Sequence, residues 1–467
     1  MENSQLILIL RTFSKKEQRD LKKWLDSPVH NQREDVTAMY DYLISANHLD
    51  HEKHLKKEKI FSKLFPKTPF DDARLRQTMH FLFKSVEEFL IWQGLQESAI
   101  QARLMLAGIY RKRKLNKAFR KTMRNLEELQ ENSPYRNEQY LRYKYMLEQE
   151  EYLFLESRER TIKMNLQEVS EALDATFLAD KLRQSCLMLA HQAVYKISYD
   201  VGLIEEVLAY VERRQLTRLL AIGTYYYIYK MLTEHNNPGH FEALERLISQ
   251  QHQYFPEEEK MGIYLHAINY CIRKMNLGEQ AYIRKAFELY RQGLEEKILI
   301  PDNTIDPYLF RNVAAIGLRL KEFDWVEYFI HNYRNYLQED YRENFFQFNL
   351  ARLHFERKNY DAAMLLLARV DFDDVLVQLN AKMMLLKIYY ELDEVDALES
   401  LLESMRAYLN RKEVTGYYRS NYQNIISYTR KLVRINPYDK APKEKLRQEI
   451  QQVNPLTERE WLLRQLE

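Results

Sequence analysis

Three stretches of the chain decide how it folds. Residues 312–329 read NVAAIGLRLKEFDWVEYF, residues 349–366 read NLARLHFERKNYDAAMLL, and residues 384–401 read MLLKIYYELDEVDALESL. They superpose without a gap at offsets of 37 and then 35 residues. Apolar or small residues recur in step at Val313/Leu350/Leu385, Ala314/Ala351/Leu386, Phe323/Tyr360/Val395, Val326/Ala363/Leu398 and Ile330/Leu367/Leu402. The spacing predicts a first helix with a small residue where a neighbouring backbone comes close, then a short turn. A second helix follows, with apolar residues three and four positions apart on one face. The predicted turns, Leu320-Lys321-Glu322, Arg357-Lys358-Asn359 and Leu392-Asp393-Glu394, contain neither Gly nor Pro.

An earlier stretch, MLAGIYRKRKLNKAFRKT at 105–122, fits the same frame with Leu106 in the place of Ala314, Leu115 in that of Phe323 and Ala118 in that of Val326. A helix pair of this kind buries only one of its sides, so neighbouring pairs must stack to share a core, which is the logic of an α-solenoid. Composition agrees with this. The 467 residues include 10 Gly and 11 Pro, whereas average usage gives about 33 and about 23. Long helices with short joints need few of either, and β-folds need many. The two glycines nearest each other in sequence, Gly94 and Gly108, are fourteen positions apart. No G-x-G-x-x-G, G-x-x-x-x-G-K or G-x-S-x-G can therefore occur, which excludes the usual dinucleotide fold, the P-loop and the nucleophile elbow.

The repeated units resemble the tetratricopeptide family, whose unit is a 34-residue helix–turn–helix, most clearly over about 307–410. The resemblance implies an all-α, right-handed superhelical α-solenoid of stacked antiparallel helix pairs. It also implies that the first helix of each pair lines a concave face. Some members of the family grip a peptide's terminal carboxylate there with Lys, Arg and Asn. Arg311, Asn312, Asn349, Arg352 and Lys387 are the polar residues near those places, while Ala315, Asn380 and Met384 stand where a full clamp would carry further Asn or basic groups.

Around the repeats, residues 1–94 show no repeat and contain Ser27-Pro28 and the loop Phe65-Pro66-Lys67-Thr68-Pro69; they read as a separate N-terminal helical domain. The solenoid is expected over 95–435. Beyond Asn436-Pro437, residues 436–467 read as a pair of amphipathic helices capping the last repeat. Ser14-x-x-Glu17 and Thr457-x-x-Glu460 have the form of capping boxes. Ser133-Pro134, Asp306-Pro307 and Phe255-Pro256 mark further helix starts.

Charge is the sharpest local feature. The net charge is only +2, so the whole chain implies no polyanion partner. Yet from Ser98 to Leu126 there are nine basic residues and no acid: Arg103, Arg111, Lys112, Arg113, Lys114, Lys117, Arg120, Lys121 and Arg124. Lys117, Arg120, Lys121 and Arg124 share one helix face, where like charges repel unless something anionic covers them. One cover is internal, from the acids that follow: Glu127, Glu128, Glu131, Glu138, Glu148, Glu150, Glu151 and Glu156. The other is a nucleic acid or an acidic partner, and residues 1–130 carry 25 basic and 17 acidic side chains, a net of +8.

Other constellations are weaker. His48, His51 and His54, each three apart, would drift around a helix and not converge on one ion, so a polar loop before a Lys-rich helix at 55–64 is expected. No Ser–His–Asp arrangement with an oxyanion nest is visible. The 34 Tyr cluster at Tyr225-Tyr226-Tyr227-Tyr229, Tyr140-Tyr143-Tyr145 and Tyr417-Tyr418-Tyr422, as expected for half-buried rings between helices or for a peptide groove. Cys186 and Cys271 form no metal or disulfide pattern. The run Leu6–Leu10 is too short for a secretory signal, and no stretch approaches a membrane span. The sequence thus leads to the expectation of a cytoplasmic, non-catalytic interaction or scaffold protein that binds a protein or peptide segment, with no cofactor, no metal and no membrane. The alternatives are a nucleic-acid-binding or regulatory protein using the basic stripe at 103–124, and, more remotely, a helical enzyme.

Overall fold

The computed structural model describes residues 1–157, 163–195, 197–369, 375–411, 416–436 and 438–467. Pro437 and the side chains of Tyr417 and Tyr418, singled out above, lie outside the described residues. Among the described residues there are 23 α-helices, six short 3-10 segments and no strand. The chain divides into two compact units, Met1–Asp180 and Lys181–Glu467.

The first unit opens with α1 (Gln5–Arg11), α2 (Lys15–Asp26), α3 (Glu34–Ile44), α4 (Lys57–Leu64) and α5 (Asp72–Glu97). Their apolar faces close on one core that runs from Leu6 to Phe89, with Ile7, Leu10, Leu21, Val36, Met39, Tyr40, Ile60, Leu75, Leu82 and Val86 fully buried. Ser14 and Glu17 cap α2 reciprocally: the Glu17 amide donates to Ser14 Oγ at 3.2 Å and the Ser14 amide donates to Glu17 Oε2 at 2.7 Å. Next come α6 (Ala99–Lys112), α7 (Asn116–Glu131) and α8 (Glu138–Glu156), which pack on one another around Ala107, Phe119, Met123, Leu126, Leu147 and Phe154. Asn137, whose Oδ1 accepts from the Tyr140 amide, caps α8 in place of the expected Ser133-Pro134 start. Helix α9 (Leu166–Tyr195) runs across the division between the units.

The second unit continues with α10 (Ile204–Arg213), α11 (Leu220–Thr233), α12 (Pro238–Gln251), α13 (Glu257–Asn276), α14 (Ala281–Glu295), α15 (Pro307–Arg319) and α16 (Phe323–Tyr333). Then follow α17 (Glu339–Glu356), α18 (Tyr360–Leu367), α19 (Val375–Glu391), α20 (Val395–Arg411), α21 (Gly416–Arg434), α22 (Lys440–Gln452) and α23 (Arg459–Arg464). Successive helices pack as pairs, and α15, α17 and α19 also touch one another in order. Asp306 caps α15, its Oδ1 accepting from the Leu309 amide at 2.9 Å, with Pro307 in the first turn. Helix α23 does not begin at Thr457: Glu458, at φ 56°, holds the cap position without a side-chain cap.

One turn recurs in five pairs, α6/α7, α13/α14, α15/α16, α17/α18 and α19/α20. A single left-handed residue ends the first helix: Lys114, Gly278, Lys321, Lys358 and Asp393. The next amide donates five residues back, from Leu115 to Tyr110, Glu279 to Lys274, Glu322 to Gly317, Asn359 to His354 and Glu394 to Tyr389, all between 2.8 and 3.1 Å. This is a Schellman closure, which satisfies the carbonyls at the helix end. Counted from it, the residue seven positions earlier is fully buried every time: Ala107, Cys271, Ala314, Ala351 and Leu386. Five positions later stand Phe119, Ile283, Val326, Ala363 and Leu398, and nine later Met123, Phe287, Ile330, Leu367 and Leu402, all buried.

The turn corrects the register of the earlier stretch by one residue. Ala107 and Phe119, not Leu106 and Ala118, take the places of Ala314 and Val326; Leu106 and Leu115 are 37% and 47% exposed. It also adds the α13/α14 pair, whose closing Gly278 lies 43 residues before Lys321. Among the described residues no helix is long and apolar enough to cross a membrane.

Candidate functional site

Residues ten and six positions before each turn lie one helical turn apart on the first helix of the pair and so share a face. On α15 they are Arg311 and Ala315, on α17 Phe348 and Arg352, and on α19 Met383 and Lys387. This face gathers charge. Arg352 is half-buried. Burial, together with the neighbouring charge of Arg311, lowers its guanidinium to about 10, while Glu356 and Glu458 act in the opposite direction. Among the described residues no carboxylate pairs with Arg311 or Arg352; their guanidinium groups lie over Tyr308 and Phe348 at 5.4 and 5.8 Å.

Lys387, whose side chain is 14% exposed, is already occupied: its Nζ meets Glu458 Oε2 at 2.5 Å. The acid comes from the start of α23, which Trp461 anchors by packing on Tyr390 and donating from Nε1 to Glu391 at 3.2 Å. Trp461, Leu462 and Leu466 belong to the same core as Leu386, Leu398 and Leu402. Asn349 is not on this face: it is fully buried, and its Nδ2 donates to Phe345 O of its own helix at 2.7 Å. Asn312 is half-buried at the edge of the same helix turn as Arg311.

The basic stripe is covered in part from within. Arg111 Nε donates to Glu150 Oε1 at 2.6 Å, with both side chains mostly shielded. Arg120 pairs with Glu151 at 2.6 Å and lies over the Phe154 ring. Lys112, Arg113, Lys114, Lys117, Lys121 and Arg124 are exposed and, among the described residues, pair with no carboxylate. Glu127 does not serve them. Its carboxyl is raised by burial and by Glu151, Glu148 and Glu131 around it.

The tyrosine clusters are packing elements where they are described. Tyr225 and Tyr226 are 6% and 7% exposed, and their hydroxyls donate to Glu259 and Glu212 at 2.7 and 2.6 Å. Both cysteines are buried and free. His48 and His54 stack at 4.2 Å, and no group of three His, Cys, Asp or Glu among the described residues is placed to hold a metal ion. Sequence reasoning missed Glu458, which lies 71 residues from Lys387 with no motif linking the two. No protein-family model, no curated protein and no solved structure matches the chain.

Proposed function

We propose that the protein is a non-catalytic interaction module: a tetratricopeptide-like superhelical solenoid, with an N-terminal helical domain and a C-terminal cap, that binds an acidic segment of a protein partner. The single observation that carries this is the Arg311, Arg352 and Lys387 face of α15, α17 and α19, partly shielded from water, with a carboxylate of the chain itself resting on Lys387. Cations desolvated in this way gain most from a carboxylate that shares their low-dielectric site. The occupied Lys387 supports an acid, and not a base or an apolar plug, as what the face accepts. Extended concave surfaces of stacked helix pairs bind segments in this manner.

The test is affinity purification of the full chain from its native cell, with and without nuclease, alongside Arg352→Glu and Lys387→Glu. Protein partners that survive nuclease and vanish with either reversal are expected. Partners retained by both variants would remove the face from the account.

A second reading rests on the six exposed, unpaired cations of α6 and α7 and the turn between them. If they bind nucleic acid through about four phosphates, affinity should fall with a log–log salt slope of about −3 to −4. Absence of RNA and DNA binding at low ionic strength would remove that reading.

A further inference from the structure

Helices α20 and α21 pack against each other and line an open groove of about 650 Å³. Arg406 and Asn410 line it from α20; Arg419, Gln423, Ile426, Ser427, Arg430, Lys431 and Arg434 line it from α21. Five of these nine side chains are cationic and none is acidic. On α21 the polar residues recur every three or four positions, so they form one stripe along the helix, about 22 Å from Arg419 to Arg434.

Among the described residues the charge is compensated at one end only. Arg430 pairs with Glu403 and Arg434 approaches Glu399 at 3.6 Å, both acids on α20, while Lys431 meets Glu449 of α22 at 2.5 Å. At the other end Arg406 has no carboxylate partner among the described residues, and Arg419 has only the Asn410 amide, at 2.9 Å. Among the described residues, five lining cations against three carboxylates leave a surplus of two.

We propose that this groove binds a small, multiply phosphorylated ligand. Neutralising several guanidiniums within one groove requires several negative charges on a short ligand, and a phosphoryl chain supplies them with oxygens that match the guanidinium fork. The volume falls in the range of small-molecule sites, about 300–1,000 Å³. Asn410, Gln423 and Ser427 add neutral hydrogen-bonding groups between the cations. What the described lining residues offer a ligand is cations and neutral hydrogen-bonding groups, which suit phosphoryl oxygens. This site shares no residue with the face on α15, α17 and α19 and stands without it.

The test is calorimetric titration of the full chain with sodium triphosphate, ATP and adenosine at low salt, for the wild type, Arg406→Ala, Arg419→Ala and, as a control, Arg246→Ala on the exposed side of α12. Triphosphate and ATP should bind with similar affinity and adenosine not at all. Each groove variant should weaken triphosphate about tenfold, with its melting temperature unchanged, and Arg246→Ala should have no effect. Failure of triphosphate to bind, binding equal in both groove variants and the wild type, or binding of ATP alone would overturn the proposal.

Discussion

Arg111 and Glu150, 39 residues apart in sequence, meet with Nε to Oε1 at 2.6 Å and tie α6 to α8, with 19% and 14% of their side chains exposed. A pair this shielded lies between an exposed ion pair, worth under about 1 kcal/mol, and a fully buried one, whose breaking costs about 3–5 kcal/mol. Glu150→Ala should therefore destabilise the protein by about 2 kcal/mol in denaturant unfolding. Arg120→Ala, whose pair is half exposed, should cost less than half of that. Equal effects would show that shielding does not set the strength of these contacts.

The recurring turn makes a prediction about backbone. Lys321 and Lys358 adopt φ near +60°, where a Cβ is crowded and glycine is not. Lys321→Gly and Lys358→Gly should each raise stability by about 0.5–1 kcal/mol, the relief of strain exceeding the added entropy of the unfolded chain. Gly278→Ala should move stability the other way, because Gly278 already supplies the freedom at φ 94°.

Gly317 is required for a different reason. A Cβ built there would stand 2.4 Å from Val326 Cγ2, so α15 and α16 pack backbone against side chain. Gly317→Ala should lower stability by about 1–3 kcal/mol by overpacking, and the double variant Gly317→Ala with Val326→Ala should recover part of the loss. No recovery would place the strain elsewhere.

Much of this was legible in the sequence where apolar periodicity carried it. The offsets of 37 and 35 residues reappear as the spacing of Lys321, Lys358 and Asp393, the residues that close each first helix. The register slipped at 105–122 because Lys114 sits in the run Arg111-Lys112-Arg113-Lys114, where nothing local marks the left-handed residue, and because exposed Leu106 and Leu115 imitate core positions. The α13/α14 pair was missed because its buried small site holds Cys271 and a longer connection separates it from the next pair. Asn349 read as a ligand contact, yet Phe345 O satisfies its amide from the preceding turn, an option open to any Asn inside a helix. The acid on Lys387 depends on the path of the last fifteen residues, which no local pattern encodes.

Alkaline stability should reflect the buried phenols. Burial first, and Glu259 next, push Tyr225 above the usual tyrosine range, and burial does the same to Tyr290; Tyr282 rises to about 12. Their folded values exceed the unfolded value of about 10, so the stability they contribute is complete below about pH 10 and is lost as pH climbs through the folded values. Arg352 works in reverse, because its charged form is the one disfavoured on folding, but it is one group against several. Denaturant unfolding at about pH 11 compared with about pH 8 should show a loss of at least about 1 kcal/mol for each of Tyr225 and Tyr290. The loss should shrink in Tyr225→Phe.

The face of Arg311, Arg352 and Lys387 is the centre of the account, and its most direct test is selection of a random-peptide display library on the full chain, repeated on Lys387→Glu and Glu458→Ala. The predicted result is enrichment of Asp- and Glu-rich peptides, lost with Lys387→Glu and bound more tightly by Glu458→Ala, since removing the chain's own acid frees Lys387. Acidic peptides that bind Lys387→Glu as well as they bind the wild type, or a library that yields no acidic enrichment, would contradict it.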